Sequence, residues 1–144
     1  MYLSPNDFPL LNASNHHDQS PEDDTYNCIA WALNDNSTWW DPAPGDTYAW
    51  PDGLPRELTL EVYVSLFQRF GFARCDNVDL ETGFQKVALY AYDDGDFAHV
   101  ARQLNTGRWT SKLGTWQDIE HATLDVLGGP YYGRVACILR KPIP

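Results

Sequence analysis

Apolar positions along the chain fall into a few short periodic stretches separated by polar turns. Asn27 to about Leu33 is almost wholly apolar, with Ile29, Ala30, Trp31 and Leu33, and reads as a short buried helix. The acids Glu22, Asp23 and Asp24 precede it, and Asn34-Asp35-Asn36-Ser37 ends it. Thr59 caps a second helix running to about Phe70. Its Leu60, Tyr63, Val64, Phe67 and Phe70 recur at helical spacing, and Gly71 stops it. Lys86 to Tyr92 reads as a central strand, Asp93–Asp96 as a turn, and Ala98 to Leu104 as a second strand. Asn105-Thr106-Gly107 forms a hairpin turn into a third strand, Arg108 to Lys112. Trp116 to Leu127 is predicted as a helix closed by Gly128-Gly129-Pro130, and Tyr132 to Leu139 as the last strand.

Two helices ahead of a meandering sheet predict an α+β fold. Its core would come from the 60–70 helix face, Val87 and Leu89, and Val135 and Ile138. Residues 1–20 are polar and read as an irregular arm on a single domain over 21–144, a length ordinary for one domain. Residues 38–57 form a long loop rich in aromatics, prolines and glycines, and a structureless loop of that length is more often functional than not.

Charge narrows the partners. A net charge of −10 repels phosphates and anionic membranes, so nucleic acid and membrane are not expected partners. Met1 is not followed by an apolar leader, which points to a cytoplasmic protein. A protein exported without a cleaved signal would look the same. The three cysteines, at 28, 75 and 137, fit no metal-binding spacing, and His16-His17 lacks a third ligand at a useful distance. The expectation is a fold with no metal, cofactor or disulfide.

Cys28 falls in the first turn of its helix, where unpaired N–H groups and the helix dipole favour a thiolate. A thiol nucleophile needs an imidazole partner. His99 is the candidate: it shares a strand face with Ala101 and Gln103, and the small Ala101 leaves room there for a helix. Three residues compete for a third polar role: His121 and Asp118, three apart on one face of the predicted 116–127 helix, and Ser111 across the hairpin. Gln103 is a further candidate. An oxyanion hole would use the Cys28 N–H and a second donor such as the Asn27 side chain. Trp39, Trp40 and Trp50 would wall a substrate cleft or simply pack over the sheet.

Tyr26-Asn27-Cys28-Ile29-Ala30-Trp31-Ala32 resembles the nucleophile segment of the NlpC-type and CHAP-type papain-like cysteine peptidases, with Asn27 in place of an aspartate. The resemblance implies N-terminal helices packed on a small antiparallel sheet, with Cys28, His99 and a third polar residue as the site. The longer pattern is similar to that of small bacterial proteins of uncharacterised function. It comprises Tyr26–Leu33, Trp39-Trp40, Tyr48–Pro51, His99–Gln103, Trp109–Gly114 and Asp118–His121. The function expected is hydrolysis of an amide in a peptide, protein or small amide, in the manner of a peptidase, amidase or deamidase. A toxin or defence role with an immunity partner fits the same resemblance. The alternative is a non-catalytic acidic module that binds a protein as an antitoxin, an inhibitor or a charge mimic.

Overall fold

A computed structural model describes residues 3–144. It is built on one antiparallel sheet of seven strands: β1 (His16–Ser20), β2 (Ala73–Cys75), β3 (Phe84–Ala91), β4 (Phe97–Gln103), β5 (Trp109–Lys112), β6 (Asp118–His121) and β7 (Arg134–Pro142). Their order across the sheet is β1-β6-β5-β4-β3-β7-β2. Helices α1 (Cys28–Ala32) and α2 (Leu60–Arg69) pack on one face. Helix makes up only 13% of the chain, and only α2 reaches seven residues, so the papain-like α+β expectation does not hold: the architecture is mostly β.

Both helices end as their sequences dictate. Asn27 caps α1, its side-chain oxygen accepting from the Ala30 N–H at 3.4 Å. Asn34, with φ 62°, closes α1 while the Asn34 and Asp35 N–H groups take the Trp31 and Ala30 carbonyls. Thr59 caps α2, and Gly71, with φ 94°, ends it in the same way.

Two cores lie on the two faces of the sheet. Under the helices, Ile29, Ala32, Val62, Leu66 and Phe67 meet Val87, Leu89, Val100 and Leu139. On the other face, Phe8, Leu124, Leu127 and Tyr132 cover Ala88, Tyr90, Ala101, Trp109, Ile119 and Ile138. Strand alternation accounts for most of this partition. The exceptions sit at register shifts. One between Leu89 and Tyr90 against β7 lets Val135 and Ile138, three apart, pack into the same second core. Both residues were expected with the α2 face.

The predicted helix over 116–127 is absent. A turn closed by Leu113 and Gln117 leads instead into β6, and only Asp125–Leu127 winds into a single 3-10 turn. Asp118 and His121 therefore point to opposite faces rather than sharing one. Residues 16–20, read as part of an irregular arm, form the edge strand paired with β6. The arm before them seats Phe8, 1% exposed, against Tyr131 and Tyr132.

One glycine fixes the path of the Tyr132 loop. Gly133 has φ 68°, and a Cβ there would lie 2.1 Å from the Ala91 carbonyl oxygen. Gly133→Ala is expected to lower stability by at least about 2 kcal/mol, read from the urea midpoint. Gly83→Ala, with φ 88° and open space around it, should cost only about 1 kcal/mol. Equal losses would show that strain alone, and not the close approach, matters at Gly133.

Candidate functional site

Cys28 is the first residue of α1 and is half-buried. Burial pushes its thiol up to about 11, against the pull of the Val100 backbone, its own N–H, the Lys112 charge and the Ile29 N–H. The expected helix-start activation is present but loses to desolvation. Both Asn27 polar atoms are engaged away from the thiol, one of the two Nδ2 hydrogens staying unassigned. Its Nδ2 donates to the Trp40 carbonyl at 2.7 Å, and its Oδ1 accepts from the Ala30 and Trp40 N–H groups, so Asn27 ties the aromatic loop to the start of α1.

His99 does share a face with Ala101 and Gln103, as strand alternation requires. The helix, however, packs on the other face, against Val100 and Arg102: the Arg102 Nε donates to the Trp31 carbonyl at 3.0 Å. The His99 ring is 1% exposed and stacks on Tyr132, with centroids 4.2 Å apart and planes at 14°. Tyr90 flanks it at 5.4 Å. Burial, reinforced by nearby His121, holds the imidazole well below 6.5 and therefore neutral, and its buried Nε2 has no hydrogen-bond partner.

Tyr132 has ties to both candidates, although no hydrogen bond joins Cys28 to His99 or to Tyr132. Its ring stacks on His99, and Cys28 lies close enough to act electrostatically on its phenol, which burial already holds well above 10. The Cys28 sulfur meets the sheet at the backbone of Val100, the residue after His99. Tyr132 carried no sequence signal beyond its place next to Gly133, where only a strand start was expected.

The remaining candidates divide between the two faces. Ser111 and His121 join His99 on the second face. The His121 Nδ1 lies 2.9 Å from the Thr123 carbonyl, which can only accept, so Nδ1 holds the proton and Nε2 accepts from the Ser111 hydroxyl at 2.9 Å. Burial pushes His121 down to about 4. Asp118 lies on the helix face, fully buried, and takes the Tyr26 hydroxyl at 2.8 Å on Oδ2 while Oδ1 has no partner. Beside it, buried Lys112 sits 4.5 Å from the Tyr26 ring centroid and donates to the Asp23 and Gly114 carbonyls at 2.5 and 2.6 Å. These bonds make Lys112 and Asp118 a brace for the approach to α1.

Gln103 is a loop anchor, its Nε2 donating to the Val78 carbonyl at 2.8 Å. Trp50 belongs to the helix-side core, edge-on to Tyr63 at 5.5 Å. Trp39 lies 6.2 Å from Tyr48, and Trp40 lies edge-on to Phe70 at 5.8 Å. Of the three tryptophans, only Trp40 touches the Cys28 turn, through Asn27. Among the described residues, no group of three or more His, Cys, Asp or Glu is placed to hold a metal ion. No described helix is long and apolar enough to cross a membrane.

The fold is an antiparallel β-sheet domain with a helix-borne thiol on one face and a buried imidazole, stacked on a tyrosine, on the other. The chain belongs to the family described as Domain of unknown function (DUF7689), which matches residues 17–140. No curated protein and no solved structure matches it.

Proposed function

We propose that the protein is a cysteine hydrolase acting on an amide, with Cys28 as nucleophile and His99 as its proton partner. The observation that supports it best is the place of Cys28 at the start of α1, with its sulfur at the Val100 backbone, next to His99 in β4. The raised thiol and the lowered imidazole mean that the pair rests neutral near pH 7. The nucleophile is then generated during attack rather than stored as an ion pair. In the resting state no hydrogen bond joins thiol and ring, so the reaction requires a contact of about 3 Å to form with substrate in place.

The chemistry balances without an outside reagent. His99 takes the Cys28 S–H proton as sulfur bonds to the carbonyl carbon. The imidazolium then protonates the leaving amine as the C–N bond breaks, giving a thioester. Water, deprotonated by His99, cleaves the thioester and restores the thiol. The Cys28 and Ile29 N–H groups at the start of α1 face the sulfur and stand where a carbonyl oxygen gains charge.

A generic acyl donor tests this without knowledge of the substrate. With p-nitrophenyl acetate, the expected result is a burst of nitrophenol and an acetyl thioester on Cys28, located by mass spectrometry and absent in Cys28→Ala. Acetylation of Cys75 ahead of Cys28, or no thioester at all, would contradict the proposal.

A further inference from the structure

The face of the sheet opposite α1 carries a groove of about 1220 Å³, roofless along one side and floored by Tyr90 and Trp109. It is larger than the roughly 300–1,000 Å³ of a small-molecule site. Its walls expose apolar side chains to solvent: Leu10 54%, Leu80 51%, Val78 47% and Tyr92 40%. A contiguous apolar patch of this kind marks an interaction surface.

The rim is acidic. Asp79, Asp93 and Asp125 line it and are exposed, and its one cation, Arg134, is already held by Asp93 at 3.3 Å. With a net charge of −10 behind it, the groove repels fatty acids, phosphates and anionic lipid, and attracts a cation. The walls are fixed in advance. The Lys86 Nζ holds the Asp79 carbonyl at 2.8 Å, Gln103 holds that of Val78, and Gly129 and Gly133 exchange backbone hydrogen bonds at 3.0 and 2.8 Å. Little ordering entropy is then left to lose on binding.

We infer that this groove binds an extended peptide segment of a partner protein, with apolar side chains lying along the floor and lysine or arginine flanking them at the acidic rim. The site does not depend on Cys28, which lies under the helix on the other face.

The probes are acetyl-Lys-Lys-Leu-Phe-Leu-Lys-amide and its counterpart with glutamate in place of every lysine, titrated calorimetrically into the full chain. The basic peptide should bind, and the acidic one should bind at least about tenfold more weakly, a difference of about 1.4 kcal/mol. Leu10→Ser with Leu80→Ser, both exposed and so compatible with folding, should weaken the basic peptide by about tenfold. Asp79→Asn with Asp93→Asn should narrow the gap between the two peptides, and Cys28→Ala should change neither. No binding, equal binding of the two peptides, indifference to the leucine substitutions, or co-sedimentation with phosphatidylserine vesicles in place of peptide binding would overturn the inference.

Discussion

Lowering the pH from 7 toward 4 should destabilise the protein steeply, with His99 and His121 responsible for much of the loss. Both imidazoles are buried, and burial lowers both: His99 well below 6.5, and His121 to about 4. A depressed histidine stabilises the fold fully above its unfolded value near 6.5, because both states are then neutral. Below that, the unfolded chain takes up the proton first, and stability falls until the folded group titrates as well. For His121 the window is 6.5 down to about 4, and the contribution lost across it is about 3 kcal/mol. His99 adds a loss of the same sign, beginning as the pH falls through 6.5. Urea midpoints measured from pH 7.5 to 4.5 should therefore fall. His121→Gln should flatten that fall while lowering stability at pH 7, since the Thr123 and Ser111 hydrogen bonds would be altered. A wild-type midpoint constant over this range would show that the two rings titrate as in solvent.

Lys112→Met should be the most destabilising of the polar substitutions, at about 3–5 kcal/mol. Lys112 is 0% exposed, and its ammonium satisfies two backbone carbonyls at the entry to α1 within electrostatic range of fully buried Asp118. Removing it leaves two buried carbonyls without donors and a buried carboxylate with only Arg102 as a nearby positive charge. Asp118→Asn should cost less, since an amide still accepts from Tyr26. The double variant should then be more stable than the sum of the two single losses predicts. Additive losses in a double-mutant cycle would show that the two charges do not interact.

Local signals made part of the fold legible. The Asn34–Ser37 break, the Thr59 cap, the Gly71 stop and the Asn105–Gly107 turn are signals within a few residues, and α1, α2 and the β3–β4–β5 meander follow from them and from the apolar runs they bound. Pairing between distant segments was not legible. β1 and β6 are mostly polar strands of five and four residues that hold each other, so neither has an apolar pattern of its own. Asp118-Ile119-Glu120-His121 is too short to separate a period of 2 from one of 3.6, and the apolar Leu124 and Leu127 downstream favoured the helical reading.

The same distinction runs through the site. Alternation correctly grouped His99 with Ala101 and Gln103, but nothing local says which face of β4 receives the cysteine helix. Position at a helix start argued for an acidic thiol, whereas the burial that reverses it arises from the sheet beneath. Tyr132 depends on a loop path that Gly133 makes sterically possible, which sequence spacing does not reveal.

The central claim is that neutral His99 removes the Cys28 proton during attack. The most direct test is the rate of Cys28 acylation by p-nitrophenyl acetate against pH, in the wild type and in His99→Gln. With the thiol near 11 and the imidazole well below 6.5, the wild type should hold a plateau from about pH 7 to about pH 9, because base and thiol are both in the required form throughout. His99→Gln should lose the plateau and rise about tenfold per pH unit toward pH 11, since only preformed thiolate would react. The same unbroken rise in both proteins would show that His99 takes no part, and would contradict the account.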